Sequence, residues 1–230
     1  MRHLPALPAL LLASALLPAE ASTPVYANGL NTTQLNRMVA SDAAGAAFGA
    51  EPWGAGGSVF LGSAQRFDQV AWWGVYLGAQ TPTAGTDRFT LAVFGTLNDQ
   101  VVGAPLLQFE AGGGRSATGA TIERTALPVY RYSARLPAPL DLAPGRYVLA
   151  IVNNTAADAD DSWYWAGASV PFGTHYGNPI EGGAALPAVW SRWDTALAFD
   201  LQQSAAPVPE PASWALLAAG SALLSMRRRR

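Results

Sequence analysis

From Ser58 to Gln202 the apolar residues come in short bursts, and no burst sustains a helical repeat. The runs are SVFLG, FDQVAWWGVYL, RFTLAVFG, APLLQFE, PVYRYSARL, GRYVLAIVNN, SWYWAGA and TALAFDLQ. An amphipathic helix needs apolar residues three and four apart over ten or more positions. These runs instead alternate, or are apolar throughout, and are rich in Val, Phe, Tyr, Trp and Thr. Gly, Pro, Asn and Asp fill the gaps, which is the signature of strands and turns. The expected fold is all-β: an antiparallel two-sheet β-sandwich, jelly-roll-like, with eight or more short strands.

The alternation also assigns faces. Phe89, Leu91 and Val93 share one side. In GRYVLAIVNN, Tyr147, Leu149 and Ile151 share a side, yet Val148, Ala150 and Val152 opposite them are apolar too. That strand should be central and covered on both faces. Leu197, Phe199 and Leu201 should face in, with Asp200 and Gln202 toward water. Pro144-Gly145 before this central strand suggests a type II turn.

The ends read differently. Arg2, the apolar Leu4–Leu17 run and the Ala19-Glu20-Ala21 site suggest a secretory signal peptide over 1–21, excluded from the fold. Residues 22–57 read as a small-residue leading segment, a short strand near Val25 and Tyr26 and then loop. The sandwich is expected over 58–203, and 204–209 is a linker by composition. There is no cysteine, so an exported domain of this size must stand on its apolar core without disulfides.

Charge excludes one class of partner. Between Ser22 and Val208 there are nine arginines, no lysine and fourteen acids, a net of −5. Nucleic-acid binding relies on clustered positive charge, so none is expected. Catalysis has little to build on. His3 leaves with the signal peptide, and His175 sits in PFGTHYGNP, a loop-like setting. No G-x-S-x-G elbow occurs, and one His without Cys cannot make the usual zinc site. No enzyme activity, cofactor or metal is expected. Asp158, Asp160 and Asp161 could offer oxygens to calcium, but they lack the Asp-x-Asp-x-Asp-Gly spacing and serve equally as turn formers.

Tryptophans are the remaining candidates. Trp163, Trp165, Trp190 and Trp193 could form a stacking platform for sugar rings, and they could equally fill the core. At least one of Trp72 and Trp73 must be core, because neighbours in a strand point to opposite faces.

The tail runs Val208-Pro209-Glu210-Pro211, then apolar Ala212–Met226, then Arg227–Arg230. Fifteen helical residues span about 22 Å, short of a ~30 Å hydrocarbon core. Four arginines would hold its end on the cytoplasmic side. The tail resembles the PEP-CTERM sorting signal of Gram-negative bacteria, also catalogued as a C-terminal domain of ice-binding proteins; no regular Thr array occurs here. That resemblance implies recognition by an exosortase, a membrane-embedded cysteine protease-like enzyme, with cleavage at or near Pro209-Glu210-Pro211. It also implies association with exopolysaccharide and biofilm. Roughly from Asn28 to Leu201 the body resembles a domain common in such proteins, for which no activity carries over.

The expectation is therefore a non-enzymatic protein handled by signal peptidase and exosortase. It would be held briefly in the membrane by the 212–226 helix, then placed at the cell surface or in the extracellular matrix, touching exopolysaccharide. The alternatives are a carbohydrate-binding module with a Trp platform and, further off, a secreted hydrolase.

Overall fold

In the computed structural model, residues 22–33, 38–45, 51–78, 85–112, 114–123, 125–157, 161–169 and 173–204 are described. They form β1 (Ser22–Asn28), β2 (Met38–Ala40), β3 (Trp53–Leu61), β4 (Gln65–Gly78), β5 (Arg88–Leu97), β6 (Gln100–Gly112), β7 (Arg115–Ile122), β8 (Leu127–Leu142), β9 (Gly145–Asn153), β10 (Asp161–Ala166), β11 (His175–Pro179), β12 (Ser191–Trp193) and β13 (Phe199–Ser204). The segments expected to be a signal peptide (1–21) and an apolar helix (212–226), and the sorting residues Val208, Pro209, Glu210 and Pro211, lie outside the described residues.

The strands make two antiparallel sheets, as the alternating runs require. The six-stranded sheet runs β12-β11-β3-β9-β5-β6. The seven-stranded sheet is organised around the long β4. One edge of β4 carries β13 along Gln69–Trp72 and then β10 along Gly74–Gly78. Its other edge carries β8, with β7 beyond. β1 lies outside β13, and β2 outside β10. A register shift between Phe67 and Gln69 lets Phe67 and Val70, three apart, both reach the core.

Between the sheets sit Trp72, Trp163, Trp165, Tyr132, Phe89 and Phe199, all fully buried. The rings interlock edge to face: Trp72 on Phe89 at 5.0 Å between centroids, Phe89 on Trp163 at 5.2 Å. Each indole hidden this way contributes about 4–6 kcal/mol of transfer free energy as an upper estimate. β9 is covered on both faces, as its sequence demands. Leu149 and Ile151 enter the main core, while Val148 and Ala150 pack outside under Tyr176, Phe94 and Trp190.

Three expectations need correcting. Trp53–Gly57 is strand rather than loop: β3 pairs with β11 and β9. Its glycines are there because side chains lie across them. A Cβ on Gly57 would stand 2.5 Å from Phe199 Cε1, and one on Gly54 2.5 Å from Pro187 Cδ. Gly145 does not have positive φ, so Pro144-Gly145 is no type II turn; Ala143 and Pro144 carry the chain from β8 in one sheet to β9 in the other. Gln202 is buried rather than turned to water, because β1 adds a further strand and Ser22 Oγ donates to Gln202 Oε1 at 3.0 Å.

Candidate functional site

The four tryptophans do not form a platform. Trp163 and Trp165 are fully buried between the sheets, and Trp190 packs on Phe94 on the outer side of the six-stranded sheet. Trp193 alone of the four is substantially exposed, at 49%. The alternation that places Trp163 and Trp165 on one face places that face inward. Packing accounts for Trp163, Trp165 and Trp190, which sit in the main core and the outer cluster.

His175 lies within β11 rather than in a loop. Its ring is buried, stacks on Trp193 at 6.4 Å, and Nδ1 lies 3.1 Å from the Thr195 carbonyl. Burial holds its pKa below the usual value, with the Thr195 carbonyl and Asp194 opposing. Asp158 and Asp160 lie outside the described residues, and Asp161 is the buried first residue of β10. Among the described residues no three His, Cys, Asp or Glu gather to hold a metal.

Two buried polar knots use residues that could otherwise suggest chemistry. Ser41 and Asp42 stitch the sheets together. The Ser41 N–H donates to Trp163 O in the seven-stranded sheet, while Ser41 O accepts from Asn153 N in the six-stranded one. With that carbonyl diverted, the Trp163 N–H turns to Asp42 Oδ2 at 2.8 Å. The same carboxylate accepts from Thr155 Oγ1 (2.7 Å), Thr155 N (3.3 Å) and Ala44 N (2.9 Å). Ser41 Oγ donates to Ile151 O and accepts from Ala55 N. In the second knot Tyr76 Oη donates to Asp87 Oδ1, and Asn153 Nδ2 lies 3.2 Å from Tyr76 Oη. Arg115 closes it, 3.7 Å from Asp87 and 4.9 Å above the Tyr130 ring. These groups hold backbone and ring positions.

A cleft of about 430 Å³ opens beside the second knot, lined in part by Arg88, Thr90, Glu110, Asn153 and Asn154. Its polar groups are largely engaged in the fold. Asn153 Oδ1 accepts from the Arg88 and Asn154 amides, and Arg88 Nη1 donates to two carbonyls of its own loop.

The outward face of the seven-stranded sheet is different. Register places three rows across β13, β4 and β8: Gln202, Gln69 and Arg135; Asp200, Ala71 and Ser133; Ala198, Trp73 and Arg131. The middle row continues to Ala27 on β1. The middle row carries small residues and the rows on either side long planar ones. Ala71 is fully buried although its Cβ points outward, and Asp200 is half-buried. Arg131 lies over the Trp73 ring at 5.9 Å. Burial pushes the Asp200 carboxyl up, with Arg131 and a Gln202 hydrogen bond opposing. Sequence reading missed this grouping because Trp73, Arg131, Arg135 and Asp200 lie on three strands far apart in the chain. Their shared parity was the available signal.

The described body is thus an all-β, two-sheet domain with polar knots inside. Residues 207–230 match the PEP-CTERM protein-sorting motif. The chain therefore carries that sorting motif, which implies processing by an exosortase, export and sorting to the cell surface. No curated protein and no solved structure matches.

Proposed function

We propose that this is a non-enzymatic surface or matrix protein of a Gram-negative bacterium that contacts exopolysaccharide within a biofilm. The sorting motif at 207–230 carries the reading. In this reading a signal peptide over 1–21 starts export, and the 212–226 helix with Arg227–Arg230 holds the chain briefly in the membrane. Exosortase then acts at Pro209-Glu210-Pro211. The fold supports a non-enzymatic body, because Ser41, Asp42, Asp87 and Asn153 are engaged in hydrogen bonds that position strands. The chain's repeated crossing between sheets, at β2–β3, β3–β4, β4–β5, β6–β7, β8–β9, β9–β10, β10–β11 and β12–β13, supports the jelly-roll-like description.

Cell fractionation tests this. The processed chain should appear in the surface or matrix fraction and co-sediment with exopolysaccharide isolated from the same cells. Replacing Val208–Pro211 with alanines should leave an unprocessed chain in the membrane fraction. Absence from the matrix, or hydrolysis lost on changing one carboxylate, would overturn the proposal.

A further inference from the structure

We propose that Trp193 and Trp53, which meet over Gly177 at the β12 edge of the six-stranded sheet, stack against the sugar rings of a neutral polysaccharide. This rests on the matrix reading above and gives it a site and a ligand class.

Trp193 ends β12 and Trp53 begins β3, with β11 between them. Their ring centroids are 6.5 Å apart and their planes are inclined at 59°. Both indoles reach Gly177. Trp193 Nε1 donates to the Gly177 carbonyl at 3.3 Å, and a Cβ on Gly177 would stand 2.8 Å from Trp53 Nε1. The missing side chain lets the two rings converge. The buried His175 ring lies nearly parallel to the Trp193 indole, with 14° between the planes. One side of the indole is thus backed by the fold, and its 49% exposure belongs to the other side and the rim. The hydrogen bond and the backing hold the ring in place beforehand, so little ordering remains for binding to supply. Ser191 lies two residues away on the same face and is exposed.

Area and charge decide the occupant. A tryptophan buries about 150–250 Å² when fully covered, so the exposed half of Trp193 offers roughly 100 Å². A protein partner needs about 800 Å² on each side, far more than this pair of rings supplies. One sugar ring matches the area. A β-linked glucose ring carries its hydroxyls around the equator, which leaves C–H groups on both faces for an indole to cover. The Ser191 hydroxyl is placed to meet that equatorial rim as donor or acceptor. Charge then selects the polymer. Asp194 follows Trp193, is exposed, and lies close enough to act on the His175 ring. It belongs to a domain with a net charge of −5. Both repel a uronate polymer and leave a neutral one unopposed.

The test uses the exported, processed chain in affinity electrophoresis through hydroxyethylcellulose, with polygalacturonate as the acidic comparison. Retardation by hydroxyethylcellulose that added salt leaves unchanged is expected, with little by polygalacturonate. Trp193→Ala should weaken binding about tenfold, and Trp193→Phe by less. Phe60→Ala removes a ring that is 62% exposed on the outer side of the same sheet, and should change nothing. Cellohexaose should also shield the unaltered protein from acrylamide quenching, a readout that needs no variant. Absent retardation, equal retardation of the Trp193→Ala variant, stronger retardation by polygalacturonate, or quenching unmoved by cellohexaose would overturn the site. The two readings fail separately. If Trp193→Ala still co-sediments fully with the cells' own matrix, the site falls and the matrix role stands. If the unaltered protein is retarded by hydroxyethylcellulose yet does not co-sediment, the site stands and the matrix role falls.

Discussion

Replacing Asp42 with alanine should cost the domain a large share of its stability, although the position reads as an ordinary polar loop. The carboxylate accepts four hydrogen bonds, from Trp163 N, Thr155 N, Thr155 Oγ1 and Ala44 N. After truncation the Thr155 hydroxyl can rotate, and the part-buried Ala44 amide can find water. The amides of Trp163 and Thr155 are buried and cannot. Each buried donor left unpaired costs about 1–3 kcal/mol, so the pair costs about 2–6 kcal/mol. Domains of this kind are stable by only about 5–15 kcal/mol in all. Urea unfolding followed by tryptophan fluorescence would measure the change. The midpoint should fall by about 1–3 M at an unchanged slope of roughly 2 kcal/mol per M. Asp42→Asn should lie between, since its amide oxygen keeps an acceptor while its NH2 faces a donor. Hydrogen exchange gives a second readout: the Trp163 amide should lose more protection than the Leu149 amide at the centre of β9. A loss below about 1 kcal/mol, or an unaltered Trp163 amide, would refute the claim that Asp42 replaces a missing rung between the sheets.

Gly57→Ala should destabilise by about 1–3 kcal/mol, read from the urea midpoint, because the new methyl meets the Phe199 ring at 2.5 Å. His175 titrates below the usual 6.5 when folded, so the unfolded chain binds its proton first. Stability should then fall as pH drops through about 6.5, and His175→Gln should flatten that slope between pH 7.5 and 5. Acrylamide quenching should fall most with Trp193→Phe and hardly at all with Trp163→Phe, since one indole is 49% exposed and the other is fully buried.

The long strands were legible because their patterns reflect what covers them. GRYVLAIVNN is apolar on both sides and lies between a core and an outer cluster. WGAGG misled because glycine has low strand propensity, and the rings that require it are far away in sequence. RSATGATI carries few apolar residues, since β7 is an edge strand that mostly faces solvent. HYGNP and the three-residue β12 are too short to show a period. The candidate tryptophans were recognised as a set, but alternation alone cannot tell which of two sheet faces is the inner one. The grouping of Trp73, Arg131, Arg135 and Asp200 across β13, β4 and β8 needed the register, because the three strands bring together residues more than fifty positions apart.

β1 pairs with β13 from Ser22↔Ser204 to Asn28↔Phe199. The first and last strands of the body are therefore partners, about 180 residues apart in sequence and one hydrogen bond apart in space. A chain threaded through a membrane from its N-terminal side would deliver β1 first and leave it with nothing to zip onto. The sheet can close only once the last six residues of the body have emerged. Such long-range closure is slow in comparison with local hairpins. Until Phe199–Ser204 has emerged, β1 and the edge of β4 that receives β13 stay unpaired, an open edge on the outgoing chain.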